Sequence, residues 1–115
     1  YNDEFRSFDE LALPFEDPAA DSNFHLYILQ VNENKRFDRY GLFTHLQDNG
    51  ILPMVHYIPV HLLKFYRDKF GYRRGDFPNA ERFYDQAISI PLHPSMDDEQ
   101  VDRVVNEVKR FIKSH

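Results

Sequence analysis

Three short apolar segments of the chain have the pattern of β-strands. Residues 24–31 are nearly continuous in apolar and aromatic side chains, which predicts a central, largely buried strand. Residues 51–58 are the second predicted strand, with Pro53 near its start, and residues 88–92 are the third. Pro91 has no backbone N–H to donate, so the third strand is predicted to lie at an edge or to end there.

Apolar residues at helical spacing lie before and between these strands. One helix is predicted over residues 1–13, followed by a loop over 14–22, and another helix over 60–70. The helix that follows the first strand is predicted to end at Asn49 and Gly50. Its expected buried face consists of Phe37, Tyr40, Phe43 and Leu46.

Two more helices are predicted near the C-terminus, each with its own cap. Asp76 is expected to cap the first, with Pro78 in its first turn. Its expected apolar residues are Ala80, Phe83, Tyr84 and Ala87. Ser95 and Asp98 resemble a capping box before the second. That last helix has an apolar stripe at helical period, which predicts packing against a sheet. The stripe consists of Val101, Val104, Val105, Val108, Phe111 and Ile112.

The order of these elements predicts the fold class. Three short strands combined with helices favour a two-layer α/β sandwich. The 115 residues are enough for one domain with a single core.

Composition and charge exclude several kinds of partner and site. The net charge is −5, and Lys and Arg are scattered among more numerous acids, which is unlike the basic stripe of a nucleic-acid-binding protein. No apolar run reaches the roughly 20 residues that span a bilayer. The absence of Cys excludes disulfides and thiolate metal sites. We therefore expect neither nucleic acid nor a membrane as a partner.

The segment VHYIPVH, residues 55–61, holds the densest group of candidate ligand-binding side chains. A strand is predicted to end there and a helix to begin, and α/β proteins often place functional groups at such junctions. His56 and His61 lack the spacing of zinc ligands, and no HExxH motif accompanies them. They also lack an identifiable nucleophile. They could line a pocket and donate to a phosphate or a sugar hydroxyl, or they could be structural histidines with satisfied hydrogen bonds.

Alternation along the predicted strands bears on this choice. If Val55 and Tyr57 pack in the core, His56 faces outward at the sheet edge. His25 and Tyr27 share one face of the first strand, as expected for a core or interface pair with hydrogen-bonded polar tips.

The remaining polar residues have simpler explanations. Lys35 and Arg36, at the start of the second helix, are expected to be solvated charges, with anion binding by Arg36 as the alternative. His93 is expected in a turn, and His45 and His115 on the surface. The sequence has no glycine-rich phosphate loop, GxSxG motif or paired-carboxylate signature.

Three segments in order carry a resemblance to a known family: FHLYIL (24–29), GILPMVHYIPVH (50–61) and GDFPNAERFYDQAISIPLHPSM (75–96). They resemble the C-terminal portion of the DegT/DnrJ/EryC1/StrS aminotransferases, pyridoxal-phosphate enzymes that aminate keto-sugars on nucleotide carriers. The resemblance runs from about Ser22 to the last helix. The form VHYIPVH is most similar to the transaminases that make UDP-4-amino-4,6-dideoxy-N-acetyl-β-L-altrosamine, on the route to pseudaminic acid.

This resemblance implies an α/β two-layer sandwich with a small, mostly antiparallel sheet, as in the small domain of fold-type I pyridoxal-phosphate aminotransferases. It implies pyridoxal phosphate in the full-length protein, glutamate as amino donor and a nucleotide-linked 4-keto-6-deoxy sugar as acceptor. It also implies a cytoplasmic homodimer that serves surface-polysaccharide or pseudaminic acid-type sugar biosynthesis. Four residues match positions that could contact the nucleotide-sugar: His56, Tyr57, His61 and His25.

The cofactor-binding large domain of that family has no counterpart in the sequence. Residues 1–21 are expected to be the end of an inter-domain helix and a linker, and residues 22–115 the small domain. None of the five lysines lies in a segment that matches the Schiff-base motif. We therefore expect no catalytic, cofactor-binding or metal-binding residue, and no activity of this chain alone.

Two further expectations concern the surface and the competing functions. Phe5, Phe8 and Leu11 are predicted to lie on an apolar surface that a large domain would cover. The functions that compete with an aminotransferase domain are a stand-alone α/β module that binds an anionic metabolite and a dimerisation domain.

Overall fold

The structure, a computed structural model, describes residues 1–32 and 36–115, which form five α-helices and three β-strands. In chain order these are α1 (Asn2–Phe5), β1 (Leu11–Ala12), β2 (Tyr27–Val31), α2 (Arg39–Asp48), α3 (Lys64–Phe70), α4 (Pro78–Gln86), β3 (Ala87–Ile90) and α5 (Asp98–Lys113). A 3₁₀ turn at Val60–Leu62 precedes α3. Within the described ranges, every helix is too short or too polar to cross a bilayer.

The strands form one antiparallel sheet with β2 in the centre, in the order β1-β2-β3. Leu11 pairs with Val31, and Ile28 pairs with Ser89. All residues of β3 are buried, and β2 alternates buried residues with partly exposed ones. The prediction of a small, mostly antiparallel sheet with helices is confirmed.

The second predicted strand, residues 51–58, does not form. Only Met54 forms a bridge there: its N–H donates to the Ser89 carbonyl at 3.0 Å, and the Ser89 N–H donates back at 2.8 Å. The single bridge still fixes the start of segment 55–61 against β3.

The N-terminal segment belongs to the core, so the prediction of an exposed apolar surface there is wrong. Phe5 is fully buried, Leu11 is buried and Phe8 is half-buried. The predicted helix over residues 1–13 is confined to α1, and β1 follows it. The Tyr1 hydroxyl donates to the carbonyl that follows β3, and burial raises the pKa of Tyr1 to about 12.

The helices α2 and α5 pack against each other beside the sheet. The predicted stripe of α5 is confirmed, with Val101 at its partly exposed end; its buried residues are Val104, Val105, Val108, Phe111 and Ile112. The predicted face of α2 is partly wrong, because the helix buries Leu42 and Leu46 while Tyr40 is 69% exposed. Gly41 allows the close approach, since a Cβ there would lie 3.2 Å from the Phe111 ring.

Two predicted helix caps are corrected. Asp97, rather than Ser95, caps α5: its carboxylate accepts from the Gln100 N–H at 2.8 Å, and the Gln100 side chain accepts from the Asp97 N–H. Asp76 does not cap α4, because its carboxylate accepts from the Arg73 N–H instead.

The region from the 3₁₀ turn to α4 lies outside the main core. Residues 60–70 form the turn and α3 rather than one helix, and no residue of α3 is buried. Of the apolar residues predicted for α4, Ala80 and Phe83 are exposed, Tyr84 is half-buried and Ala87 is the buried first residue of β3. Much of the aromatic surface of this region therefore faces solvent.

Candidate functional site

His56 is held at the sheet edge by a serine of β3. Its Nδ1 atom lies 2.9 Å from Ser89 Oγ. Ser89 itself is buried, and its backbone pairs with Ile28 on one side and Met54 on the other. This hydrogen bond fixes the orientation of the imidazole ring, and a hydroxyl that donates to Nδ1 keeps the ring proton on Nε2. The ring can therefore donate to a ligand.

A small cavity of about 160 Å³ lies beside His56. His25, His56 and Ser89 form its polar part. Its apolar walls include Leu26, Leu52, Met54 and Leu92. The structure thus brings two of the four predicted site residues, His25 and His56, to one cavity.

His61 lies in a different environment. It is 7% exposed, and its Nε2 atom lies 2.8 Å from Glu81 Oε1. Glu81 also accepts the N–H groups of Gly75 and Phe77, at 2.8–3.2 Å. Burial raises the pKa of Glu81, but the hydrogen bonds from Gly75, His61 and Phe77 outweigh it, so the pKa lies below its ordinary value of 4.5. His61 is therefore held in place by a buried carboxylate partner.

The two tyrosines identified in the sequence analysis differ in solvent exposure. Tyr57 is 75% exposed, so the premise that it packs in the core is wrong; its ring meets the His56 ring edge-on, with centroids 4.7 Å apart. Tyr27 is buried, and its hydroxyl donates to Asn2 Oδ1. His25 precedes β2 and is exposed, so only Tyr27 has the satisfied core position expected for that pair.

A separate groove of about 510 Å³ has the ring of His61 in its wall. Most of its lining is aromatic or apolar: Pro59, Val60, Tyr66, Phe70, Tyr72, Phe77 and Ala80. The junction 55–61 therefore sends its two histidines to two different surfaces, one at the sheet edge and one beneath an aromatic groove.

The sequence analysis overlooked two residues that organise these surfaces. Ser89 has one faint signal, a small polar residue inside an otherwise apolar strand. Glu81 is the buried residue of α4, and its burial is visible only in the structure. In both cases the partner histidine is far away in sequence, so only the fold reveals the pairing.

Local contacts account for Arg36 and His45. Arg36 forms an ion pair with Glu10, and its guanidinium carbon lies 5.5 Å from the centre of the Phe37 ring. His45 is half-buried rather than on the surface, and it lies 3.0 Å from Glu107. Within residues 1–32 and 36–115, no cluster of three or more His, Asp or Glu side chains could hold a metal ion.

Comparison with known proteins identifies the family of this chain. The model of the DegT/DnrJ/EryC1/StrS aminotransferase family matches residues 1–109. The chain belongs to this family.

Two relatives illustrate its range. The spore coat polysaccharide biosynthesis protein SpsC of Bacillus subtilis is 40% identical over 115 residues, which cover 98% of this chain and 30% of SpsC. The dTDP-3-amino-3,6-dideoxy-alpha-D-galactopyranose transaminase of Aneurinibacillus thermoaerophilus is 33% identical over 89 residues, 76% of this chain and 22% of that enzyme.

Solved structures of the DegT family share the fold. The candidate sugar aminotransferase Spr1654 of Streptococcus pneumoniae, in its PMP form, superimposes with a TM-score of 0.85 and 27% identity over 98% of this chain and 28% of its own. The chain thus spans about 30% of the length of the first curated relatives it matches.

The DegT family uses pyridoxal phosphate, and the described lysines of this chain do not fit a Schiff-base site for that cofactor. Spr1654 has also been solved in a PLP form. The lysines within the described ranges are Lys64, Lys69, Lys109 and Lys113. None of these lines the five cavities of about 160–670 Å³ at the surface of the described residues, and two are in ion pairs with Asp68 and Glu4. Lys35 lies outside the described residues.

Proposed function

We propose that this chain is the small domain of a pyridoxal-phosphate-dependent aminotransferase that transfers an amino group from glutamate to a nucleotide-linked 4-keto-6-deoxy sugar. Residues 22–115 form the body of that domain, residues 1–13 complete its core and sheet, and the segment 1–21 also contains the connection to a larger, cofactor-binding domain. The chain alone does not catalyse the reaction. The full-length enzyme works as a cytoplasmic homodimer. Its most specific proposed substrate is the UDP-linked 4-keto sugar that is converted to UDP-4-amino-4,6-dideoxy-N-acetyl-β-L-altrosamine.

Family membership and relative length support the first part of this proposal. The chain matches the family over nearly all its residues, yet it spans only 30% of SpsC. No described lysine lines the five cavities of about 160–670 Å³. The remainder of a family enzyme would therefore have to supply the cofactor site.

One observation supports the substrate assignment most directly: His56, oriented by Ser89, borders a cavity with His25. Imidazole N–H groups are suitable donors to sugar hydroxyls and to the oxygens of a nucleotide. Tyr57, exposed beside His56, is placed to cover a ligand that enters this edge. By contrast, His61 is hydrogen-bonded to Glu81, so we assign it a positioning function for the junction rather than a contact with substrate.

A chimeric enzyme tests the proposal. These 115 residues would replace the matching segment of SpsC, and the purified, cofactor-loaded chimera would be assayed in two separate steps. The first step is the change in cofactor absorbance on addition of glutamate. The second is the reverse change on addition of UDP-linked or dTDP-linked 4-keto-6-deoxy sugars. Unaltered SpsC identifies the keto sugars that its larger domain accepts.

We expect the chimera to complete both steps. His56→Ala should slow the keto-sugar step by about tenfold, the size expected for one hydrogen bond to a ligand, and leave the glutamate step unchanged. His115→Ala, at an exposed terminal histidine, should leave both steps unchanged. A folded, cofactor-loaded chimera that reacts with glutamate but with no keto sugar accepted by SpsC would contradict the proposal.

A further inference from the structure

His93 lines two cavities that adjoin the His56 cavity. It shares one, of about 670 Å³, with His25, and the other, of about 450 Å³, with Arg103. His25 also lines the His56 cavity, and Pro91 is common to the His56 and Arg103 cavities. The three cavities are therefore neighbours that share lining residues around the end of β3. We call the surface formed by His25, His56 and His93 the histidine edge.

His93 is oriented in the same manner as His56. Its Nδ1 atom lies 2.9 Å from Ser95 Oγ, the same distance that separates His56 Nδ1 from Ser89 Oγ. A serine hydroxyl that donates to Nδ1 keeps the ring proton on Nε2, and a protonated imidazole also carries N–H there. In both rings, Nε2 has no hydrogen-bond partner among the described residues. Both rings thus present an oriented Nε2 atom along one edge, and that atom carries an N–H group when the serine hydroxyl donates to Nδ1 or when the ring is protonated.

The charges around the histidine edge favour an anionic ligand. The chain has 19 acidic residues and a net charge of −5, yet no Asp or Glu is among the described residues that line the three cavities. The Asp97 carboxylate, close to His93 in sequence, accepts from the Gln100 N–H. Arg103 adds a permanent positive charge. A metal cation would find no carboxylate here, whereas phosphoryl oxygens would meet several N–H donors.

We propose that His93 is a further ligand-binding residue of the histidine edge and that it binds the diphosphate group of a nucleotide-linked sugar, with Ser95 as its positioning residue. His25 and His56 then contact the sugar end of the same ligand. The identity of the ligand as a nucleotide-sugar rests on the proposed function. The affinity for phosphoryl oxygens rests on the geometry and charge of the edge alone.

Nuclear magnetic resonance of the ¹⁵N-labelled 115-residue chain tests this proposal. The probes are inorganic pyrophosphate, UDP and uridine, which separate the phosphoryl groups from the nucleoside. We expect pyrophosphate and UDP to shift the imidazole signals of His93, and uridine to leave them in place. His93→Ala should weaken the affinity for pyrophosphate by about tenfold, as expected for loss of a charge-assisted hydrogen bond.

Three further variants separate binding from positioning. His93→Gln keeps a neutral N–H donor and should lose less affinity than His93→Ala. Ser95→Ala removes no donor to the ligand; it should weaken pyrophosphate binding by about threefold, a partial loss of that hydrogen bond, and change the tautomer pattern of the His93 ring. His115→Ala should bind like the unaltered chain.

Each contrary outcome has a defined meaning. Three outcomes would each overturn the proposal for His93. The unaltered chain and His93→Ala could have equal affinities for pyrophosphate, or uridine could shift the His93 signals as much as UDP does. The third is no shift at a probe concentration of about 10 mM, which is far above the dissociation constant of a useful ligand site. Activity of the SpsC chimera alongside such a result would retain the proposed function. Pyrophosphate binding at His93 together with a chimera inactive on every keto sugar would retain the anion site and remove the aminotransferase assignment.

Discussion

His56 and His61 show how one residue type takes on two functions within a single short motif. His56 meets the neutral hydroxyl of Ser89 and stays partly exposed, whereas His61 meets the buried carboxylate of Glu81. The sequence predicted that the junction is important and identified both histidines. It could not separate them, because Ser89 and Glu81 come from β3 and α4, which approach the junction only in the folded chain.

Glu81→Gln tests the buried pair at the residue scale. The carboxylate accepts hydrogen bonds from two backbone N–H groups and His61, and its pKa lies below 4.5. The folded state therefore holds its proton less tightly than the unfolded chain. The stability from Glu81 is complete above pH 4.5 and is lost as the pH falls through the lowered pKa.

We expect Glu81→Gln to lower the midpoint of thermal unfolding at neutral pH and to flatten its decline between pH 4.5 and more acidic values. Differential scanning calorimetry across this range would measure both effects. Asp68→Asn is the matched control, since Asp68 forms only an exposed i,i+4 ion pair with Lys64 and such pairs contribute little. An unchanged acid profile in Glu81→Gln would show that the buried pair does not govern acid stability.

Among the elements, α5 was predictable because its signals are local. An apolar residue every three or four positions defines its buried stripe, and acids cluster at its start. The cap was misassigned by the same local reasoning. Ser95 has the right chemistry, but its hydroxyl bonds to His93, and Asp97 takes the capping position.

Asp97→Ala should therefore destabilise the chain by about 1 kcal/mol, the usual effect of losing an N-terminal cap. Ser95→Ala should change stability by less than about 0.5 kcal/mol, as for most surface substitutions. Urea unfolding followed by far-ultraviolet circular dichroism would measure both variants. If Ser95→Ala were the more destabilising change, the cap assignment would be wrong.

The failed strand at residues 51–58 depends on information outside the segment. Its apolar pattern is that of a strand, but only Met54 pairs with β3. Conversely, β1 was missed because two residues, Leu11 and Ala12, are too short to produce a pattern and are strand only by virtue of pairing with β2.

At the scale of the whole molecule, the N-terminal segment completes the core. Phe5 is 0% exposed, whereas Phe15 in the following loop is 86% exposed. Phe5→Ala should lower the free energy of unfolding by about 3–5 kcal/mol, the usual range for a buried phenylalanine. Phe15→Ala, a chemically identical change, should lower it by less than about 0.5 kcal/mol. Chemical denaturation of both variants would measure the difference. Similar values would contradict the assignment of Phe5 to the core.

Cofactor trapping tests the whole chain for a hidden catalytic site. After incubation with pyridoxal phosphate and borohydride, intact mass spectrometry should show no stable adduct, or only scattered substoichiometric labelling of surface lysines. The reason is that the described lysines lie at the surface and outside the cavities. A single stoichiometric adduct on one lysine, prevented by prior addition of glutamate, would contradict the proposal that the chain alone is inactive.

The double bridge between Met54 and Ser89 has a consequence for the timescale of the site. The Ser89 amide is buried and bonded to the Met54 carbonyl at 2.8 Å, and the same residue orients His56 through its hydroxyl. Opening of the strand would therefore release the histidine as well. Hydrogen–deuterium exchange of that single amide would then report how often the histidine edge loosens. Because every residue of β3 is buried, we expect this strand to open rarely and the amide to exchange slowly.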